Sequence, residues 1–95
     1  MSKAVTVIPL TGYASVAYDA EFATLPARAI DVEATGDLFL EDMEGNTLHW
    51  TIGASAPLPF RIYVGFRKII GDGSGSVGDG STGTDIALAD LIPLH

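Results

Sequence analysis

The period of the apolar residues is what most constrains this chain. They alternate with polar residues in short runs, and turn-forming residues separate the runs. No stretch sustains a 3.6-residue apolar period over about eleven residues, so no amphipathic helix is expected. Ala29-Ile30-Asp31-Val32-Glu33 puts Ile30 and Val32 on one face. Thr35-Gly36-Asp37 is turn chemistry. Leu38 and Leu40 then alternate with Phe39 and Glu41. After Glu44-Gly45-Asn46, Leu48, Trp50 and Ile52 alternate with Thr47, His49 and Thr51. Two alternating runs joined by a Gly/Asn turn are a hairpin signature.

The longest β-rich run is Phe60 to Ile70. Its spacing puts Phe60, Ile62, Val64, Phe66 and Ile70 on one face, with Lys68 the exception near the end, and Arg61, Tyr63, Arg67 and Ile69 on the other. Gly65 marks a bulge or a close backbone approach. Ile86-Ala87-Leu88-Ala89 could be helical on propensity, but Asp85 to Ile92 reads as a last strand that stops at Pro93, because the Gly/Thr-rich approach and Pro93 leave room for only about eight residues. The expected fold is a small all-β domain, an antiparallel β-sandwich or open barrel of about five to seven strands. Residues 28–95 form that β-domain. Residues 1–27 read as an N-terminal arm, with a short strand at Ala4–Ile8 and a close at Leu25-Pro26. Residues 71–84 read as a flexible loop on their glycine and serine content.

A chain of 95 residues without cysteine has no disulfide or thiolate metal site to support its core. It buries only about 60–65% of its unfolded surface. Yet 47% of its residues are apolar. That combination suggests that other subunits cover part of the apolar surface. Five cationic residues against twelve acidic ones give a net charge of -7. No basic stripe exists to neutralise phosphates, so no nucleic acid is expected as a partner. A polybasic membrane anchor is absent for the same reason. No apolar stretch approaches the roughly 18–20 residues of a membrane span. The N-terminal run is too weak for a signal peptide. A soluble protein made in the cytoplasm is expected.

Candidate chemistry is sparse. His49 lies on the polar face of its strand and reads as an exposed cross-strand residue. His95, the last residue, is expected near solvent and poorly tied down. Asp31, Glu33, Asp37, Glu41, Asp42 and Glu44 cluster in sequence, and alternation puts Asp31 and Glu33 on one face. Solvated acidic faces also serve solubility and edge protection. Gly73, Gly75 and Gly78 match G-x-G-x-x-G, but no helix can start behind them, and a dinucleotide site needs one. Asp72, Asp79 and Asp85 lack calcium-loop spacing. Phe39, Trp50 and Tyr63 could form a sugar-stacking platform, but Trp50 shares its face with Leu48 and Ile52 and is expected in the core. No catalytic, cofactor-binding or metal-ligating residue is assigned, and the chain reads as a non-enzyme without cofactors.

One ordered set of pieces carries a family resemblance. These are Leu25-Pro26-Ala27-Arg28-Ala29-Ile30, Gly36-Asp37-Leu38, Trp50-Thr51-Ile52, Leu58-Pro59-Phe60-Arg61-Ile62 and Thr82-Gly83-Thr84-Asp85-Ile86. Their order and spacing resemble the spike base proteins of tailed phages and gene transfer agents. The resemblance covers about two thirds of the chain, from Leu25 to Leu91. It implies a virion structural protein on the capsid exterior, a head decoration or spike base. Its implied partners are copies of itself as a trimer or pentamer, the major capsid protein, and a spike or fibre protein. The glycine-rich loop is longer than the compact turn of that pattern, and the first 24 residues do not match it. A different class of function, a small β-sandwich that recognises host-surface glycan through exposed aromatics, is the alternative.

Overall fold

A computed structural model of the chain describes residues 9–95. Five antiparallel strands form one open sheet: β1 (Ala27–Val32), β2 (Gly36–Asp42), β3 (Thr47–Ile52), β4 (Phe60–Ile69) and β5 (Leu91–Leu94). Their order is β3-β2-β4-β1-β5. Among the described residues the only helical element is a 3-10 turn at Leu88–Asp90. The all-β, antiparallel expectation is met, and the unclosed sheet is consistent with a small open sandwich or barrel. The Leu25-Pro26 and Leu58-Pro59 peptide bonds are cis. The strand expected at Ala4–Ile8 lies outside the described residues.

The β2–β3 hairpin follows directly from its turn. Asp42 N–H donates to Asn46 O and Gly45 N–H to Asp42 O, which leaves a three-residue loop. Gly45 has φ +89°, the left-handed position that such a loop requires and that glycine adopts without a Cβ penalty. The register then sets Leu40 opposite Leu48, Leu38 opposite Trp50, and Gly36 opposite Ile52. These residues share the inner face. Phe39, His49, Asp37 and Thr51 share the outer one.

β4 runs down the middle of the sheet and carries two irregularities. Against β1, the pairs shift from Ala29↔Tyr63 to Ala27↔Phe66, so β4 holds an extra residue around Gly65. Against β2, they shift from Glu41↔Lys68 to Asp42↔Phe66, so a second extra residue sits at Arg67. The second shift inverts the alternation. Ile69, expected on the outer face, is fully buried in the core, while Ile70 is only half-buried. The extra residue at Arg67 shifts the alternation by one and brings Ile69 to the core, whereas Phe66, beyond the first irregularity, keeps the face of Ile62.

The strands are strongly staggered. β1 and β2 flank β4 together only at Phe66. Irregular chain fills the gaps that this leaves. Tyr18 to Phe22 lies beside the end of β4, with Asp19 N–H donating to Ile69 O and Phe22 N–H to Arg67 O. Thr84 and Asp85 lie beside β2 where β4 has ended. There Thr84 N–H donates to Ile70 O and Asp85 N–H to Asp37 O. Tyr18, Phe22 and Ile86 are buried in one cluster with Ile30, Leu38, Leu40 and Phe66. Residues 9–26 thus belong to the same core as the strands. Ala27 marks a change of conformation and not an edge of the packed unit.

The C-terminal strand differs from expectation. Asp85 to Ala87 does not form a strand, and β5 instead continues through Pro93 to Leu94. His95 N–H points away from β1, to Thr11 O at 2.8 Å. Backbone direction alternates along a strand, so the Pro93 nitrogen points the same way and costs the ladder no donor.

Candidate functional site

The outer face carries the polar chemistry. The register sets Asp31 opposite Arg61 and Glu41 opposite Lys68. Arg61 clamps Asp31 with two donors, Nε at 2.6 Å and Nη2 at 2.8 Å. That fork holds the Asp31 carboxyl below the usual carboxylate range. Arg67 Nε bonds Glu41, with Lys68 3.7 Å away on its other oxygen. Glu33 is exposed just beyond the end of β1. The acidic run from Asp31 to Glu44 is therefore partly neutralised by β4.

The densest cluster lies between β2 and β3. Asp37 Oδ1 accepts from Thr51 Oγ1 at 2.8 Å and from His49 Nε2 at 2.9 Å. Those two bonds, His49's first, hold the Asp37 carboxyl below its ordinary range. The His49 ring stacks on Phe39 with centroids 4.0 Å apart. The Asp37 backbone N–H in turn donates to Asp85 Oδ1. Threonine, histidine and aspartate together have the composition of a nucleophile, base and orienting group. Their geometry is different. A relay needs one ring nitrogen toward the nucleophile and the other toward the carboxylate. Here the same Nε2 faces both Asp37 and Thr51, the latter at 3.5 Å, and Thr51 already donates to Asp37. The cluster clamps β2 to β3. His49 is half exposed, as expected of a cross-strand polar residue.

The glycine-rich segment is built into the fold, contrary to the flexible loop expected. Asp19 reaches into it from the N-terminal segment. Its Oδ1 accepts Gly71 N–H, and its Oδ2 accepts the N–H groups of Gly73 and Gly75. Two glycines of the G-x-G-x-x-G match thus spend their amides on the chain's own carboxylate. Asp72 caps Ser74 and Ser76, and Asp79 caps Ser81 and Thr82. These backbone donors hold both carboxyls below their usual range. An open depression of about 300 Å³ lies between Asp72, Val77, Gly78, Asp79 and Thr82. Among the described residues no group of three or more His, Asp or Glu side chains could hold a metal ion.

The three aromatics of the sugar-platform expectation do not converge. Phe39 is buried under His49 on the outer face, Trp50 packs half-buried against the core on the inner face, and Tyr63 stands 73% exposed. His95 is held more firmly than expected. Its backbone pairs twice with Thr11, and its ring packs 4.4 Å from Tyr13. Sequence reasoning missed Asp19 and Thr84. Both act on residues more than forty positions away, and no local pattern signals such contacts. The Asp37–Thr51 contact was within reach, because counting back from the Glu44-Gly45-Asn46 turn sets those residues opposite each other. No family model matches the chain, and neither the curated proteins nor the solved structures contain a match.

Proposed function

We propose that this protein is a phage virion structural component, a capsid decoration or head-spike base without catalytic activity. It works as a homo-oligomer on the capsid exterior, bound to the major capsid protein and able to carry a spike or fibre. One observation carries the reading. The pieces that resemble spike base proteins fall on the junctions of the fold. Leu25-Pro26 leads into β1, Gly36-Asp37-Leu38 opens β2, and Trp50-Thr51-Ile52 ends β3. Leu58-Pro59 leads into β4, and Thr82 to Ile86 supplies the segment beside β2. Proline, glycine and aspartate mark turns and strand ends in any β-chain, so the reading rests on the order and spacing of the pieces. On the outer face Asp31 pairs with Arg61, Glu41 with Arg67, and Asp37 with His49 and Thr51, which suits a scaffold. Avidity over many copies makes modest single contacts sufficient on a particle.

Light scattering of the purified protein, with co-sedimentation on empty capsids, tests the reading. A discrete oligomer that pellets with capsids is expected. A monomer at tens of micromolar that stays in the supernatant overturns it. A second reading rests on Tyr63, whose exposed ring lies under the Arg61 guanidinium at 5.9 Å. An exposed aromatic beside a charged pair suits glycan stacking. A glycan array answered by wild type and silent for Tyr63→Ala would support it.

A further inference from the structure

The two edges of the sheet are treated differently. At β5 the edge is covered, since Thr11 and His95 exchange both backbone bonds and Gly12 bridges Leu94. Pro93 removes one further donor there. At β3, among the described residues, nothing pairs with the outer edge. Proteins usually blunt such an edge with charge, proline or a bulge. β3 has none of these: Thr-Leu-His-Trp-Thr-Ile contains no acidic residue, lysine, arginine or proline, and its register against β2 is unbroken. In a chain of net charge -7, β3 itself carries no acidic side chain to repel a like copy.

Backbone parity says which groups are free. Asp42 bonds Asn46, and bonded pairs alternate along an antiparallel ladder. Leu48, Trp50 and Ile52 therefore face β2, and the N–H and C=O groups of Thr47, His49 and Thr51 point outward. The same parity sends Asp37 and Phe39 of β2 toward Asp85 and Thr84, as observed.

We propose that β3 is a two-fold interface at which a second copy of this chain adds its own β3 antiparallel, making one continuous sheet. A two-fold axis normal to the sheet keeps inner faces together only in registers that pair odd residues with odd ones. Centring on His49 uses all three outward residues: Thr47 opposite Thr51 of the second copy, and His49 opposite its counterpart. On the inner face it sets Leu48 beside Trp50 of the second copy, and both side chains are only half-buried in one copy. A single patch that complements itself is what an isologous contact requires. The inference goes beyond the virion reading and does not rest on it. A two-fold contact does not close a trimer or pentamer, but it doubles one.

The test uses the full chain. Wild type is expected to have an even copy number by light scattering, and the amides of Thr47, His49 and Thr51 should be protected from hydrogen exchange. Thr51→Pro removes one outward N–H and should halve the mass. Thr51→Val, which loses the same hydroxyl but keeps the N–H, should leave it unchanged. A monomeric or odd-numbered wild type overturns the proposal. So does exchange of those three amides at the rate of a free edge, or a folded Thr51→Pro of undiminished mass. Capsid binding by a wild type without the β3 contact would leave the virion reading standing while this one fails.

Discussion

Thr84 shows how much one side chain does in so small a protein. It is the single fully buried polar residue among those described, and its hydroxyl accepts Phe39 N–H at 2.8 Å and faces Phe39 O at 3.2 Å. It takes the place of a strand beside β2, where β4 has already ended. Thr84→Val keeps the shape and strands the Phe39 N–H without a partner. A loss of about 1–3 kcal/mol is expected from denaturant melts, with Thr84→Ser close to wild type. If the valine variant matched wild type, Thr84 would not be satisfying β2. The sequence offered no sign of this role. A threonine in a Gly/Ser/Thr-rich stretch looks like solvent-exposed loop.

The 71–84 segment makes the same point at the scale of an element. Its composition is that of a linker, yet it is folded, because the Asp19 carboxylate collects three of its amides. Tight backbone crossings complete it: a Cβ built on Gly83 would overlap the carbonyl oxygen of Gly71. Asp19 itself has φ +60°, a region that aspartate tolerates and glycine adopts freely. Asp19→Gly therefore removes the carboxylate without straining the backbone. The amides of Gly71, Gly73 and Gly75 should then exchange at least roughly tenfold faster, the effect of losing about 1.4 kcal/mol of local protection. Unchanged exchange at all three would mean that the glycine crossings alone hold the loop. The β2–β3 hairpin, by contrast, was legible residue by residue. Its turn and its alternation are local, and the turn alone sets the register. β4 was legible only as far as Phe66. Lys68 breaks the apolar face one residue after the bulge, but only the pairing with β2 shows that an extra residue at Arg67 is the cause.

At the scale of the molecule, the core depends on the place where the staggered strands meet. Phe66 is fully buried, pairs with both β1 and β2, and packs edge-on against Phe22 with centroids 5.6 Å apart. Phe66→Ala should cost about 3–5 kcal/mol. Domains of this size have about 5–15 kcal/mol in total, so a loss of most of the folded population at moderate urea is expected. A variant as stable as wild type would show that the core is not shared across the sheet. Acid acts on the whole molecule too. Asp31, Asp37, Asp42, Asp72 and Asp79 are all held below their usual range by hydrogen bonds from Arg61, from His49 and Thr51, and from backbone amides. Below about pH 4 the unfolded chain takes up protons before the folded one does. The stability these groups contribute is present above that pH and is lost as pH falls through their folded values. Urea midpoints measured from pH 6 to pH 3 should drop, and a flat profile would contradict the assignments.

The β class, the hairpin, the faces of β1 to β3 and the lack of an amphipathic helix among the described residues follow from local residue patterns alone. Each of these depends on residues within a few positions of one another. The burial of Tyr18 and Phe22, the ordering of the glycine loop by Asp19, the change of face of β4 at Arg67 and the run of β5 through Pro93 come from long-range packing. These outcomes follow from staggered strands leaving backbone groups and apolar surface unmatched. Distant chain fills those gaps wherever it can reach, and a local period cannot encode reach.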